Sequence, residues 1–273
     1  MLSVITFKYL KPGYRTVYTA AHVNTLRSMV ARNYNHPHRF FCVTDDPAGI
    51  DPRVEVVPMW EDHFNMLNPT HPTARPNCYP RLKLFAPEME AVFGKRFVSI
   101  DLDVVLVGDM APLWQRPEDF VIYDARGSDH YNGSMFLQTA GSRAQVWKSF
   151  DPVESPQMTM RAGMRGSDQA WIRYMLAPDA ATWTNDHGVH AYLHMIPSRQ
   201  PRVASRPRVH VPASASRRGG IGALRGVPRA VTPPPPRTGE LPKNARLVVF
   251  AGEFKPWEER TQQMSPWIQE HYR

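Results

Sequence analysis

Cysteine is scarce in this sequence, and long hydrophobic runs are absent. The only two cysteines, Cys42 and Cys78, support neither a disulfide framework nor a metal site built from thiolates. No apolar run approaches the ~18 residues that a membrane-spanning helix needs. The opening stretch, MLSVITFKYL, becomes polar too soon for a secretory signal peptide. We therefore expect a protein of the reducing cytoplasm.

Acidic and aromatic residues are nearly missing from the stretch between Arg199 and Arg246. It contains eleven Arg or Lys and a single acid, Glu240, a net charge of +10, whereas the rest of the chain carries 22 basic and 24 acidic residues. It is rich in proline and has too few large apolar side chains to offset the entropy of ordering. We predict a disordered, basic, proline-rich insertion over residues 199–245.

The charge of this insertion suggests its partners. A basic segment can contact an anionic glycan or an acidic lipid surface, so attachment to the inner face of the membrane is one expectation. Nucleic acid is disfavoured, because no aromatic side chains lie between the basic ones for base stacking. The simplest alternative is a solvated insertion that the fold tolerates between two strands.

The remaining composition is that of a globular enzyme. The 273 residues are 42% hydrophobic and 11% aromatic, which is enough to bury a substantial core. Strand and helix patterns alternate through residues 1–198, which predicts an α/β domain with a mostly parallel central sheet. A strand at Leu247 to Phe250 returns from the insertion, so residues 246–273 are expected to complete the same domain.

Two carboxylates interrupt a very apolar stretch, Val98 to Val107 (VSIDLDVVLV). We interpret it as a buried central strand in which Asp101 and Asp103 share one face, because side chains alternate along a strand. Neither acid is expected in a dry core, so the pair belongs in the crevice at the carboxyl edge of the sheet. Two carboxylates there suit a divalent cation with phosphate oxygens as further ligands, which indicates a nucleotide diphosphate site. The alternative is an Asp pair that caps a turn.

Earlier residues are predicted to line the same crevice. Tyr9 follows the first strand, Ser3 to Phe7, and therefore lies near its carboxyl end. Arg81 lies on a helix predicted over Asn77 to Phe85 (NCYPRLKLF). Arg81 and Lys83 cannot both lie on the apolar side of this helix, so one or both can face phosphate or solvent.

Two later segments carry polar groups at the start of a structural element. Asn132 to Ser134 precede a strand, where backbone N–H groups and an amide suit sugar hydroxyls or a tight turn equally. Asp168 and Gln169 open a helix with Ser167 as the expected N-cap. An acid in that first turn is stabilised by the helix dipole without any function.

Five short motifs occur in an order that resembles one enzyme family. They are RLKL (Arg81 to Leu84), DLD (Asp101 to Asp103), YNGSM (Tyr131 to Met135), SDQ (Ser167 to Gln169) and GEFKPW (Gly252 to Trp257). Together they resemble the nucleotide-sugar glycosyltransferases of the GT-A fold, most of all the family 8 type that includes bacterial galactosyltransferases and glycogenin. The resemblance covers roughly residues 3–198 and 246–258, and five motifs in order are more specific than any one of them.

The resemblance implies a role for each motif. Asp101 and Asp103 would hold Mn²⁺ or Mg²⁺ against the phosphates of a UDP-sugar donor, whose hexosyl unit would pass to a hydroxyl of a glycan, lipid or protein. The family implies retention of configuration, and an inverting reaction with Asp168 as the base stays open. The other candidates would surround the donor: Tyr9, Arg81, Gly252 and Lys255 at the nucleotide and diphosphate, and Asn132, Asp168 and Gln169 at the transferred sugar. Cleavage builds negative charge on the β-phosphate, which a metal and a lysine would stabilise.

The sequence departs from the family at the third metal ligand. The family's terminal motif has a metal-binding histidine before the glycine, but the stretch Arg246 to Gly252 (RLVVFAG) has none. A water would take its place, or one of His187, His190 and His194 would reach the site. We expect a looser metal site, with donor binding that depends on added Mn²⁺.

Two other classes of protein remain open on the sequence. A haloacid-dehalogenase-like phosphatase also has an apolar strand that ends in D-x-D. That family normally opens with the motif and later needs an acidic pair, for which GSDQ at Gly166 to Gln169 is a poor match. A non-catalytic nucleotide-sugar-binding protein is favoured by the missing histidine and disfavoured by the presence of Asp101, Asp103 and Lys255.

Overall fold

The protein's structure, a computed structural model, describes residues 1–10, 16–69, 78–125, 128, 130–197 and 238–273. Most of the predicted insertion, residues 199–237, lies outside the described residues, and so does Asn77 at the start of the predicted helix. Within the described ranges, no helix is both long enough and apolar enough to cross a bilayer.

Ten strands occur in the described part of the chain. They are β1 Leu2–Lys8, β2 His38–Thr44, β3 Glu55–Pro58, β4 Arg96–Ile100, β5 Val104–Leu106, β6 Phe120–Tyr123, β7 Asn132–Thr139, β8 Ala181–Trp183, β9 Val189–Ala191 and β10 Leu247–Val249. Seven of them form a central sheet in the order β3-β2-β1-β4-β7-β6-β8, and three form a second sheet in the order β5-β10-β9.

The central sheet is mostly parallel, as predicted. Strands β3, β2, β1 and β4 run parallel, β7 is antiparallel to both β4 and β6, and β8 is parallel to β6. In the second sheet, β10 is antiparallel to β5 and parallel to β9. The mixed α/β architecture expected from the alternating sequence patterns is therefore confirmed.

Helices connect most of the strands in the described ranges. They are α1 Ala20–Asn33, α2 Met89–Phe93, α3 Ala111–Trp114, α4 Gln145–Lys148, α5 Glu154–Arg161, α6 Asp168–Leu176, α7 Tyr192–Met195, α8 Glu259–Met264 and α9 Trp267–His271, with 3₁₀ helices at Tyr79–Phe85 and Asn185–His187. The segment around Arg81 is thus a 3₁₀ helix. After β10 the chain ends in two short helices, α8 and α9.

Hydrophobic residues cover both faces of the central sheet. Neighbouring residues of β1 point to opposite faces, so Val4 belongs to one core cluster and Ile5 to the other. The first cluster includes Leu26 of α1 and the strands of the second sheet. The second includes Leu82 of the 3₁₀ helix and Trp171 of α6. Because both faces of the central sheet are packed, the carboxyl end of β4 is held in a fixed position.

The prediction of one continuous strand over Val98 to Val107 is wrong. Strand β4 ends at Ile100, and the chain then crosses to β5 in the second sheet. The backbone N–H of Asp101 donates to the carbonyl of Ser134 at 2.9 Å, and the carbonyl of Asp103 accepts from Phe250 N–H at 3.0 Å. Both strands are apolar, so the hydrophobic pattern could not reveal the break between them.

The last part of the predicted insertion is described. Residues 238–245 form no helix or strand, but Gly239 is fixed to the body of the fold. Its N–H donates to the carbonyl of Met195 at 2.9 Å, and its carbonyl accepts from Trp267 Nε1 at 3.0 Å. These contacts anchor the chain shortly before β10.

Candidate active site

Segments far apart in the sequence converge where β4 ends. Arg81 comes from the 3₁₀ helix, Asp101 and Asp103 from the crossing between the two sheets, Asp168 from the start of α6, and Lys255 from the segment after β10. The side chains make ion pairs across sequence separations of 20 to 152 residues. The structure therefore brings these five candidates into one cluster.

Arg81 is the centre of a buried ion-pair network. Its Nη1 donates to Asp101 Oδ1 at 2.8 Å, and its Nε and Nη2 both donate to Asp168 Oδ2, at 3.2 and 2.9 Å. Burial lowers the pKa of Arg81, but the two carboxylates outweigh it, so the guanidinium stays charged. Because the guanidinium is planar and its donors point in fixed directions, one arginine sets the positions of both acids.

Gly133 joins the network to two further candidates. Its carbonyl accepts from Arg81 Nη1, and its N–H donates to Gln169 Oε1 at 2.9 Å. The side-chain oxygen of Asn132 is used locally, since it accepts from Ser134 N–H at 2.9 Å. The structure places Asn132 to Ser134 at the start of β7 rather than in a turn before it, with the backbone groups of Gly133 beside Arg81 and Gln169. Contact of this segment with a sugar stays a prediction.

Replacing Gly133 with alanine is expected to destabilise the protein by about 1–3 kcal/mol. A Cβ at this position would lie 3.0 Å from Gln169 Cγ and 3.3 Å from Arg81 Cζ. Urea unfolding measures the loss. Adding Gln169→Ala removes the nearest atom, so the double variant should recover part of the stability; a Gly133→Ala protein as stable as the wild type contradicts the close contact.

Ser167 caps α6, as predicted. Its Oγ accepts from Ala170 N–H at 3.2 Å, and the Asp168 side chain that follows is buried against Arg81. The helix dipole alone would favour an exposed acid at this position. The helix dipole does not account for the burial of the Asp168 side chain against Arg81. We therefore include Asp168 in the candidate site.

Lys255 meets Asp103 in the interior of the site. The ammonium donates to Asp103 Oδ2, and the two residues are 3% and 7% exposed. The lysine backbone is fixed independently, because its N–H donates to Glu258 Oε2 at 3.3 Å and its carbonyl accepts from Glu258 N–H at 3.1 Å. The predicted proximity of the terminal motif to the DLD segment is thus present in the structure.

Tyr9 lies against the Arg81 network. Burial is the main cause of a strongly raised pKa for its phenol, and Cys78, Arg81 and Asp168 also act on it electrostatically. Its ring packs edge-on against Phe64, with 5.7 Å between ring centroids. The residue therefore borders the crevice in which the sequence predicted it.

Two residues that the sequence did not indicate also face Asp103. The Tyr18 hydroxyl interacts with the Asp103 carboxylate; burial first, and then the carboxylate, raises the pKa of this phenol. His22 lies four residues later, with its ring 4.1 Å from the ring of Trp257, and burial lowers its pKa. The spacing of four residues places Tyr18 and His22 on one side of the helix start, but only the tertiary fold shows what that side contacts.

A cavity of about 530 Å³ adjoins Lys255. Its lining includes Gly252, Lys255 and Trp257, together with Thr16 and Val17 near the start of α1. Gly252 has a φ of 72°, a conformation that glycine adopts without steric cost. The cavity is within the usual size range of small-molecule sites, about 300–1,000 Å³, and Glu253 and Glu258 complete its lining.

The pKa of Asp101 is raised to about 6, mainly because the carboxyl group is desolvated, with Arg81 opposing and Asp103 adding to the rise. An unfolded aspartate titrates near ~4. Between these values the folded protein binds more protons than the unfolded chain, so this group's contribution to stability is lost as the pH rises through that window.

We expect the unfolding free energy of the wild type, minus that of Asp101→Asn, to fall as the pH is raised from about 4 to about 6.5. Urea titrations of both proteins at several pH values measure this difference. The subtraction removes the titration of groups that the two proteins share. A difference that stays constant or rises with pH contradicts the raised pKa.

Asp101 and Asp103 suit a divalent cation by chemistry. Carboxylate oxygens are ligands that Mg²⁺ and Mn²⁺ prefer, and Mg²⁺ commonly takes one or two carboxylates together with substrate phosphates. In the described ranges, no group of three or more His, Cys, Asp and Glu side chains could hold a metal. With respect to the described residues, a cation held by this pair would take its other ligands from water and phosphate oxygens.

The sequence left two alternatives for the third ligand, a water or a distant histidine, and favoured ordinary structural roles for the three histidines; in the described residues none of the three joins the aspartates. His187 Nδ1 bonds with Thr184 N at 3.1 Å, and His190 Nε2 bonds with Asn244 Oδ1 at 3.2 Å. Neither these two nor His194 forms a metal-binding group with the aspartates. His187 ends the 3₁₀ helix at Asn185–His187, His190 lies in β9 and His194 lies in α7.

Comparison with known proteins shows similarity at the level of the fold. No protein-family model matches the sequence, and no curated protein is similar to it in sequence. The galactosyltransferase LgtC in complex with donor and acceptor sugar analogues has a TM-score of 0.55 and 12% identity, over 98% of this chain and 96% of that chain. An active-site Gln-to-Glu variant of LgtC gives 0.56 and 12%, over 97% and 95%.

A third solved structure is larger than this protein. The glycosyltransferase GlyE of Streptococcus pneumoniae TIGR4 has a TM-score of 0.52 and 9% identity, over 100% of this chain and 62% of that chain. These likenesses confirm the predicted GT-A fold.

Proposed function

We propose that this chain is a glycosyltransferase that moves a hexosyl unit from a UDP-sugar to a hydroxyl of a glycan, a lipid or a protein. One observation carries the proposal: Lys255 meets Asp103 beside the Asp101–Arg81–Asp168 network. The cluster lies at the carboxyl end of β4, in a fold shared with a galactosyltransferase that was crystallised with donor and acceptor sugar analogues.

The diphosphate of the donor would bind near Asp101, Asp103 and Lys255. Bond cleavage leaves negative charge on the β-phosphate, and the Lys255 ammonium stabilises this charge in a site that excludes water. Gly252 and the adjoining cavity give the diphosphate room beside that ammonium. A Mn²⁺ or Mg²⁺ ion held by Asp101 and Asp103 would supply Lewis-acid stabilisation to the same phosphates.

The transferred sugar would lie against Asp168, Gln169 and Asn132. Arg81 holds one oxygen of Asp168 with two N–H groups, so the carboxylate keeps a fixed position. A fixed, ionised carboxylate stabilises positive charge on the anomeric carbon. Because that oxygen is already engaged by two charged donors, the arrangement suits charge stabilisation better than proton transfer. It therefore supports a retaining rather than an inverting reaction.

A panel of substrates tests the proposal. The protein is incubated with UDP-hexoses, other nucleotide sugars and a phosphomonoester, with and without Mn²⁺, and the products are separated by chromatography. We expect UDP release from at least one UDP-hexose, and its loss in Asp103→Asn. Phosphate release from the phosphomonoester would support a phosphatase, and no product from any substrate would support a non-catalytic protein.

A further inference from the structure

We propose that Lys255 couples cation binding to nucleotide binding. Without nucleotide, its ammonium occupies the carboxylate of Asp103 and excludes a divalent cation from it. A bound diphosphate draws the ammonium away and makes that carboxylate available. This inference rests on the proposed function, because it takes a nucleoside diphosphate as the ligand.

The first support is the buried ion pair itself. The ammonium of Lys255 donates to Asp103 Oδ2 where both residues are almost fully buried. A divalent cation on Asp103 would lie within a few ångströms of this ammonium, and like charges that close repel strongly in a poorly solvated site. The Tyr18 hydroxyl also interacts with Asp103. The carboxylate is therefore fully engaged while Lys255 stays in place.

The second support is the cavity next to Lys255, into which the ammonium of its side chain can move. Lys255 is the cationic residue among those that line the cavity of about 530 Å³, together with Thr16, Val17, Gly252, Glu253, Trp257 and Glu258. The backbone of Lys255 is held by its two hydrogen bonds with Glu258. A lysine side chain has a flexible four-carbon stem, so the ammonium can turn from Asp103 towards a diphosphate in the cavity without movement of the backbone.

The third support is the charge of the cluster. Three carboxylates, Asp101, Asp103 and Asp168, face two cationic side chains, Arg81 and Lys255. Arg81 is committed to Asp101 and Asp168, so Lys255 is the cation of this cluster, within the described residues, that can turn to a new anion. When it turns to the diphosphate, Asp103 is left as an unpaired buried carboxylate, which is costly until a cation binds.

This arrangement makes the two binding events mutually dependent. A nucleotide that releases Asp103 must strengthen cation binding, and by linkage the cation must strengthen nucleotide binding by the same factor. Lys255 would thus take part in metal binding as a competitor that the nucleotide removes. Within the described residues no third protein ligand joins the two aspartates, which makes this competition more effective, because two carboxylates alone hold a cation weakly.

Titration of Mn²⁺ followed by electron paramagnetic resonance tests the inference, because the signal of free aqueous Mn²⁺ disappears on binding. Wild type and Lys255→Met are titrated with and without UDP. Without nucleotide, we expect Lys255→Met to bind Mn²⁺ at least about tenfold more tightly than the wild type. With UDP, the affinity of the wild type should rise at least about tenfold, and that of the variant should rise less.

A matched control is Lys83→Met, which removes an ammonium that pairs with Asp62 outside the cluster. It should leave Mn²⁺ binding within about twofold of the wild type. If Lys255→Met binds Mn²⁺ without nucleotide no more tightly than the wild type, the inference is wrong. If circular dichroism shows that Lys255→Met is unfolded, Lys255→Gln is used in its place. Glutamine is neutral but can still hydrogen-bond to Asp103.

The nucleotide arm separates this inference from the proposed function. If UDP fails to bind the wild type even with Mn²⁺, the proposed function is contradicted. The titrations without nucleotide still decide whether Lys255 keeps the cation from Asp103. If UDP binds but does not raise the Mn²⁺ affinity of the wild type, the coupling is contradicted while the proposed function stands.

Discussion

Replacing Lys255 with methionine is expected to lower the turnover number for sugar transfer by about 10²–10³-fold, the usual loss when one preorganised charge-stabilising group is removed. The ammonium is buried at Asp103 and lines the cavity beside it. Methionine has a similar length and preserves packing but carries no charge. The negative charge that develops on the departing diphosphate would then lose one of its stabilising groups.

This prediction is measured as the turnover number at saturating UDP-hexose and Mn²⁺. Lys83→Met serves as the control, because its ammonium pairs with Asp62. We inferred above that Lys255→Met binds Mn²⁺ more tightly than the wild type. The same variant should therefore bind the metal better and yet transfer the sugar more slowly. A turnover number within about threefold of the wild type contradicts the role of the lysine.

Replacing Arg81 with methionine is expected to destabilise the protein by about 3–5 kcal/mol. The guanidinium is 4% exposed and Asp168 is 2% exposed, so the change leaves an uncompensated acid in the interior. Asp101 loses the same partner. Asp168 must then either remain charged without a partner or take up a proton, and both outcomes cost free energy.

Urea unfolding measures this loss, with Arg39→Met as the matched control. Arg39 forms a two-contact ion pair with Glu55, but its side chain is 40% exposed. An exposed pair contributes about 0–1 kcal/mol, so its loss should be small. Similar stability losses in the two variants would show that Arg81 is not the buried centre of the network.

The sequence predicted the architecture well where the signal was periodic. Apolar residues at near-helical spacing over Arg15 to Tyr34 predicted a helix, and three of them, Leu26, Met29 and Val30, are buried in α1, whereas Val17 precedes α1 and is exposed. The parallel order of the first strands followed from the alternation of strands and helices. The crossing at Asp101 to Asp103 was missed, because β4 and β5 are equally apolar and pairing with β10 decides where the sheet changes.

The candidate site was predicted as a set of residues, but its internal connections were not. The order of the motifs predicted that Lys255 lies near Asp103, although the two residues are far apart in the sequence. The same reasoning assigned Arg81 to the diphosphate and Asp168 to the sugar, whereas the structure joins the two directly. The contacts of Tyr18 depend on how α1 lies against the second sheet, which no local pattern encodes.

A crystal structure of the protein with UDP and Mn²⁺ would show whether Lys255 and the two aspartates bind the diphosphate. We expect the diphosphate at the carboxyl end of β4, with a β-phosphate oxygen within about 3.2 Å of Lys255 Nζ. Lys255 should have left Asp103, and Mn²⁺ should bind Asp101 and Asp103. A diphosphate bound elsewhere, or a Lys255 still paired with Asp103 beside bound UDP, would contradict it.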